Sequence, residues 1–201
     1  MLLSLIVLVQ YLRRFIPEKR HLLYAECVNI LVEKRYAPSV VQAEYNKVLP
    51  GEEALHIVRE IANKMHEEHL REVSRIEMET TIIPYILTTM PLTRAVSVSP
   101  LDILRNIEAR SQLLVERGFN EKGHPIMAFS HLTFQEYLAA LHLQQAIGRQ
   151  GEPFTSSTLL RSYEQDPEWW EEVVLLYAAQ LDPQQQISLF ERIRPKRGRL
   201  Q

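Results

Sequence analysis

The feature that most constrains the fold is a change of sequence period between residues 113 and 129. Outside this stretch, apolar residues such as Leu23 and Cys27 recur at helical spacing. Inside it, two short apolar runs, 113–115 and 126–129, flank a segment that contains glycine and asparagine, which is the pattern of a β-hairpin. The sequence therefore predicts a mainly α fold: a helical domain, a winged-helix domain with one small β-hairpin, and then further helices.

Helix-start signals predict where these elements begin. Two Ser/Thr-x-x-Glu capping boxes occur, Ser74 with Glu77 and Thr133 with Glu136. Pro84 is expected to bend or stop the first of these two helices, because its ring does not fit an unbroken helix interior. Five proline-containing pairs mark other helix starts: Pro17-Glu18, Pro50-Gly51, Ser99-Pro100, Asp166-Pro167 and Asp182-Pro183.

Three domains follow from these signals. Residues 1–48 are predicted to form a helical domain, whose main helix ends at Ala37-Pro38. Residues 49–147 are predicted to form the winged-helix domain with its leading helices. Residues 148–157 have the composition of a linker, and 153–201 are expected to begin a following helical domain.

Composition excludes several functional classes. The formal net charge of -2 gives no global attraction to nucleic acid or to an anionic membrane. The basic residues between 192 and 199 are interpreted as a solvated tail. Cys27 is the only cysteine, which excludes an internal disulfide and favours a reducing, cytoplasmic location. The apolar stretch 1–9 is far shorter than the roughly 20 residues that cross a bilayer, so a buried helix is expected there.

Catalytic motifs are missing from the sequence. The nearest approach to a phosphate-binding Gly-x-x-x-x-Gly-Lys-Ser/Thr loop runs from Gly118 to Gly123, but His124 and Pro125 follow it. No Gly-x-Ser-x-Gly elbow is present, and paired carboxylates are adjacent in sequence on expected helices, so they diverge. We therefore predict neither a catalytic residue nor an enzyme activity for this chain alone.

The string His66-Glu67-Glu68-His69 resembles a zinc-protease motif that is one residue too short. Its histidines stand at i and i+3, and no third ligand is evident. The alternative is a solvated helix face, and it is favoured. No metal site is predicted.

Three segments together resemble the helical and winged-helix region of NACHT-type STAND NTPases, which are NLR-like signalling ATPases. These segments are Leu2–Ile6 running into Pro17–Cys27, then Ile107–Arg117, and then Phe129–Ala140, which is the most specific. The first carries a Pro-x-x-Arg-x-x-Leu-Tyr-x-x-Cys string, and the second is similar to the family's Arg-Ser-Gly-Leu-Leu stretch, with Gln112 in place of glycine. Their order and spacing cover about three quarters of the chain.

The resemblance implies a role for His131. In the family, the histidine of the Phe-x-His string contacts the phosphates of bound ADP and holds the resting state. His131 also precedes an expected helix N-terminus, where free amides and the helix dipole favour an anion. From the residues alone, a packing or capping histidine is the favoured interpretation. Six further residues are expected to be structural: Arg20, Tyr24 and Cys27 in the helical domain, and Phe129, Phe134 and Tyr137 in the winged helix.

The resemblance also implies partners. In the family, the P-loop and the Mg²⁺-binding acidic strand lie upstream of the matching region, and a repeat or sensor module usually follows it. We therefore expect the chain to be a fragment or a remnant of a larger protein. ADP or ATP would bind the full-length protein, and no nucleotide is expected to bind this chain alone. The expected partner is an N-terminal NACHT core, and a C-terminal repeat or sensor module is a second candidate partner.

Two alternative functions stay open at this stage. A winged helix can bind nucleic acid, but the helix from Thr133 to Ile147 offers no Arg or Lys, which makes this alternative unfavourable. A protein-interaction scaffold is the other alternative, with the Trp169-Trp170 pair as its docking residues. Burial of these two side chains would count against a docking role.

Overall fold

The computed structural model describes residues 2–33, 39–89, 94–150 and 154–193. Within them the protein is mainly α-helical, with one three-stranded antiparallel sheet in the order β1-β3-β2. This architecture confirms the predicted mainly α fold with a winged-helix region. The winged-helix region consists of α4 (Gly51–Glu67), β1 (Glu72–Ser74), α5 (Arg75–Glu77), a π-helical turn (Met78–Ile82), α6 (Ile83–Thr89), a 3₁₀ turn (Arg94–Ser97), α7 (Pro100–Ser111), β2 (Leu114–Phe119), β3 (Pro125–Phe129) and α8 (Leu132–Gln150).

The helices that precede this region differ from the expected ones. The prediction that Pro17 and Glu18 form the first turn of a helix is wrong, because the carbonyl of Lys19 accepts the first helical hydrogen bond, from the Leu23 amide at 3.1 Å. A third helix lies in a segment for which no helical periodicity was recognised. The predicted stop at Ala37-Pro38 lies outside the described residues. The three helices are α1 (Leu2–Arg13), α2 (Arg20–Glu33) and α3 (Ser39–Val48).

Side-chain caps confirm four of the predicted helix starts. In each, a serine or aspartate oxygen accepts a hydrogen bond from a backbone amide three residues later, which satisfies a donor that the helix itself leaves unpaired. The pairs are Ser74 with Glu77 at 3.2 Å, Ser99 with Asp102 at 3.1 Å, Asp166 with Trp169 at 3.2 Å and Asp182 with Gln185 at 2.9 Å.

Pro84 is accommodated by a change of helix type. The π-helical turn Met78–Ile82 precedes it, and the Ile83 amide donates to the Met78 carbonyl across this wider turn. Pro84 is then the second residue of α6, directly after this wider turn. The chain therefore stays helical through the proline that was expected to bend or stop it.

The predicted hairpin is confirmed, and a third strand pairs with it to form the sheet. Strand β3 pairs antiparallel with β2, from Leu114 opposite Phe129, and on its other edge with β1. The short β1 gave no strand signal in the sequence. A β-bulge interrupts the β2–β3 register between Glu116 and Phe119, and Gly118 within it has a φ of 134°, which favours glycine.

Three helices follow α8 in the described residues, and the predicted linker is wrong at both ends. Helix α8 continues to Gln150, and α9 already begins at Phe154. Helical residues therefore occupy most of the segment 148–157, although it contains glycine and serine. The domain limits 1–48, 49–147 and 153–201 stay predictions. The three helices are α9 (Phe154–Gln165), α10 (Pro167–Ala178) and α11 (Pro183–Ile193).

One continuous hydrophobic core joins these elements. It extends from Val9 on α1 to Leu189 on α11. Helix α8 lies at its centre and packs against α4 on one side and α10 on another. Among the described residues, no helix has the length and apolar character needed to span a membrane.

Candidate functional site

The N-terminus of α8 is capped by the imidazole of His131. Its Nδ1 accepts a hydrogen bond from the Thr133 amide at 3.3 Å, and its carbonyl accepts one from the Phe134 amide at 3.0 Å. The predicted capping box, in which Thr133 itself caps the helix, is therefore wrong, because the helix begins one residue earlier, at Leu132. The imidazole supplies the acceptor that the serine, threonine or aspartate of an ordinary cap provides.

This cap defines what the ring can offer to a ligand. The side chain of His131 is exposed at the start of a 19-residue helix. With Nδ1 acting as an acceptor, the neutral ring carries its hydrogen on Nε2. The site therefore presents a hydrogen-bond donor near the positive end of the helix dipole, which suits an anion.

Arg117 reaches the same point from strand β2. Its Nη2 donates to the carbonyl oxygens of Phe129 and Ser130, at 3.0 and 2.9 Å. These two residues directly precede His131. Arg117 was not predicted to have a role, because it comes to the start of α8 only through the β2–β3 pairing and its bulge.

A cavity of about 310 Å³ lies beside the start of α8. The side chains of Arg71 and Arg117 line it together with Leu132 and Gln135. Gln135 is fully buried, and its Nε2 donates to the Leu70 carbonyl at 2.9 Å. Glu72 lines the cavity as well, so two guanidinium groups and one carboxylate lie beside this helix N-terminus, and positive charge is in excess among them.

Four of the residues expected to be structural meet at one interface. Tyr24 on α2 lies against the rings of Phe134 and Tyr137 on α8, at centroid distances of 6.4 and 6.0 Å. Arg20 is exposed, and it bonds both the Tyr24 hydroxyl at 3.3 Å and the Glu172 carboxylate of α10 at 2.5 Å. From the sequence, Arg20 and Tyr24 were expected to hold the helical domain together. In the structure they connect α2 to α8 and α10.

Cys27 and Phe129 complete this set as buried residues. Burial in apolar surroundings, with the nearby Glu26 carboxylate, raises the pKa of the Cys27 thiol to about 11. A thiol with such a pKa is not reactive at neutral pH, so Cys27 serves packing.

Glu136 has an altered pKa that was not predicted from the sequence. Burial, reinforced by the Glu172 carboxylate, raises its pKa to about 7, and the charges of Arg20 and Arg71 only partly oppose this rise. Its neighbours come from α2, α10 and the loop before β1. No local sequence signal could therefore have indicated this pKa.

The two histidines of the zinc-protease-like string both stack on Trp169, at centroid distances of 4.7 and 5.4 Å. His66 is fully buried, and its ring stacks on Trp169 and meets the edge of Trp170. The preferred interpretation, a solvated helix face, is therefore wrong for His66 and holds for Glu67, while Glu68 and His69 are exposed but lie beyond the end of α4. In the described part of the chain, no group of histidine, cysteine and carboxylate side chains is arranged to hold a metal.

The tryptophan pair of α10 belongs to the core. Trp170 is 4% exposed, and the Trp169 indole is half-buried and donates to the His66 carbonyl at 2.9 Å. This burial argues against the scaffold alternative, in which the pair would dock a partner.

Nucleic-acid binding is disfavoured by the way α7 is covered. In a winged helix-turn-helix, the second helix of the helix-turn-helix directly precedes the hairpin and contacts the groove of the nucleic acid. In this chain that helix is α7, whereas the prediction from the sequence considered the helix that is α8. Helices α2 and α3 pack on α7. The guanidinium of Arg110 on α7 is buried and bonds the carbonyls of Val32 and Leu49. The surface that would enter a groove is therefore occupied by protein.

The comparisons with known proteins agree with this topology. Residues 20–143 match the family described as a winged helix-turn-helix domain C-terminal to NACHT. This match covers more than half of the 201 residues and runs from α2 into α8. No curated protein and no solved structure matches the chain. A domain of this kind is the non-catalytic neighbour of a NACHT domain, and this chain belongs to the family of winged helix-turn-helix domains that lie C-terminal to NACHT.

Proposed function

We propose that this chain is the regulatory switch segment of a NACHT-type signalling NTPase. In this proposal, the NACHT core that precedes the winged helix binds ADP, and His131 contacts its phosphates and stabilises the resting state. A repeat or sensor module on the C-terminal side would be a further partner. The observation that carries the proposal is the exposed, helix-capping imidazole of His131.

The residues present fit such a ligand. ADP supplies phosphate oxygens, which accept hydrogen bonds and carry negative charge. His131 offers a donor at the N-terminus of α8, and Arg71 and Arg117 add positive charge beside it. No carboxylate is bonded to the His131 ring within the described residues.

A contact of this kind would act by shifting a conformational equilibrium. If the His131 contact forms only while ADP is bound in the closed arrangement, ADP favours that arrangement and exchange for ATP releases it. A hydrogen bond to a charged group contributes about 1.5–3 kcal/mol. Since 1.4 kcal/mol changes an equilibrium constant about tenfold, one such bond is enough to change the balance of the two states.

Calorimetric titration with ADP tests the proposal, using this chain alone and the chain joined to its NACHT core. We expect ADP binding only in the joined protein, and about 10-fold or greater weakening by His131→Ala. His124→Ala, which changes a histidine in the turn between β2 and β3, is the matched control and should leave the affinity unchanged. Equal ADP affinity of the joined wild-type and His131→Ala proteins would exclude the proposed contact.

A further inference from the structure

The peptide groups that lead into His131 are held from both sides. The Ser130 amide donates to the Leu113 carbonyl at 2.7 Å, which ties it to the end of the helix-to-strand connection. The Ser130 carbonyl accepts from Arg117 at 2.9 Å, and the Phe129 carbonyl accepts from the same nitrogen at 3.0 Å. The Phe129 carbonyl and the Ser130 amide belong to one planar peptide group and the Ser130 carbonyl to the next, so these bonds orient the two peptide groups that lead into His131.

The β-bulge in β2 explains why Arg117 is available for this task. Arg117 lies between Glu116 and Phe119, where the ladder with β3 shifts register. A bulge inserts an extra residue and turns its side chain away from the regular alternation of a strand. Here, the irregularity brings the guanidinium onto the carbonyls at the end of β3.

The ring of His131 is fixed in turn by the helix that it caps. Its Nδ1 accepts from the Thr133 amide, so this nitrogen is unprotonated and already has its partner. The other nitrogen, Nε2, then carries the ring hydrogen. Protonation of Nδ1 would remove the cap, so the neutral ring with its hydrogen on Nε2 is the form that this geometry selects.

We infer that Arg117 is a positioning residue for His131, and that His131 offers a neutral Nε2–H donor to a phosphate oxygen. This inference rests on the proposed function. It specifies that recognition of the anion at His131 comes from an oriented neutral donor and not from an imidazolium charge. Arg117 contributes by fixing the two carbonyls before the ring, and its own donor nitrogen is used on them.

Nitrogen-15 NMR of the full chain tests the ring directly, without nucleotide. At neutral pH, two-bond correlations from the ring protons should identify Nδ1 of His131 as the unprotonated nitrogen. In Arg117→Met this single pattern should give way to exchange between both tautomers. Arg117→Lys should keep most of it, because one ammonium nitrogen can also donate to two carbonyls. Arg105→Met, at an exposed arginine on α7, is the matched control.

Calorimetry of the joined protein with ADP provides the second measurement. We expect Arg117→Met to weaken ADP binding about three- to tenfold, the effect of losing one ordinary hydrogen bond. The inference is overturned if wild-type His131 is protonated on Nδ1. It is also overturned if Arg117→Met leaves the tautomer pattern intact, even with weaker ADP binding, because Arg117 would then act through its charge. A third outcome separates the two proposals. If Arg117→Met changes the tautomer pattern but the joined His131→Ala protein binds ADP as tightly as the wild type, the proposed ADP contact is excluded and the positioning of the His131 ring by Arg117 is retained.

Discussion

The ring of His66 stacks on the indole of Trp169, with a centroid distance of 4.7 Å and an angle of 17° between the planes. The rings of His66 and Trp170 are nearly perpendicular, with a centroid distance of 4.5 Å and an angle of 88° between the planes. Neither ring nitrogen of His66 has a hydrogen-bond partner among the described residues. An imidazole here therefore behaves as a flat apolar group that joins α4 to α10, and a charge on it would be poorly solvated.

The His66 ring makes stability depend on pH in the acidic range. Its pKa is lowered from 6.5 to about 4, mainly by burial and secondly by the nearby His69. Because the folded pKa is depressed, the unfolded chain binds the proton first, and stability is lost as pH falls from 6.5 towards 4. The full loss is on the order of 3 kcal/mol. Urea unfolding of His66→Phe should show a smaller decrease in stability between pH 7 and pH 5 than the wild type does.

The matched control for this prediction is His124→Gln, at a histidine in the turn between β2 and β3, outside the cluster of His66 with Trp169 and Trp170. It should keep the wild-type decrease in stability at low pH. An unchanged acid dependence in His66→Phe would show that another group carries it.

Glu136 produces the opposite dependence. Its folded pKa is raised from 4.5 to about 7, so the folded protein holds the proton more tightly than the unfolded chain. Its contribution to stability is therefore full below pH 4.5 and is lost as pH rises through 7. Glu136→Gln should stabilise the protein at pH 8 by about 1–2 kcal/mol, after allowance for partial solvent screening.

Thermal unfolding at pH 5 and pH 8 checks this prediction. Glu171→Gln is the control, because Glu171 is an exposed carboxylate on α10, next in sequence to Glu172. If Glu136→Gln and Glu171→Gln respond alike at pH 8, the burial of Glu136 has no energetic consequence.

Local signals were sufficient to predict much of the fold. Serine and aspartate caps indicated the starts of α5, α7, α10 and α11, because a cap is a contact between residues three apart in sequence. The β2–β3 hairpin was also readable, since its two strands are neighbours in sequence. The short strand β1 was not, because it depends on pairing with β3, which lies more than 50 residues away.

At the candidate site, too, features set by neighbouring residues were predicted, and features set by tertiary contacts were not. The position of His131 before a helix followed from its immediate neighbours, and its relation to ADP came from a family resemblance. The bond from Arg117, the proximity of Glu136 to Arg20 and the burial of His66 depend on tertiary packing. Short-range pattern carries no information about such contacts, which is why these three features were missed or misread.

Arg110 should be one of the most important polar residues for stability. Its buried guanidinium donates to the Val32 and Leu49 carbonyls and to the side-chain oxygens of Asn46 and Asn106. Arg110→Met keeps much of the aliphatic stem and leaves these acceptors without their donor. We expect a loss of about 2–4 kcal/mol in the free energy of unfolding, because unpaired buried polar groups keep their desolvation cost. A shift of the urea midpoint measures it.

The control on the same helix is Arg105→Met, at an exposed position. Its effect should lie within about 0.5 kcal/mol of zero, as is usual for surface substitutions. Comparable effects of the two substitutions would mean that Arg110 does not hold α2 and α3 onto α7.

Gln112 stands where the family's Arg-Ser-Gly-Leu-Leu stretch has glycine, and the structure gives this difference a physical consequence. Gln112 follows α7 with φ 53° and ψ 16°, the left-handed conformation that commonly ends a helix and that glycine adopts without strain. Gln112→Gly should therefore raise the free energy of unfolding by about 0.5–1 kcal/mol. Gln112→Val, which is branched at Cβ, should lower it. In thermal unfolding, we expect the unfolding temperature to decrease in the order Gly, Gln, Val at position 112. A valine protein that is more stable than the wild type would contradict the role of backbone strain at this helix end.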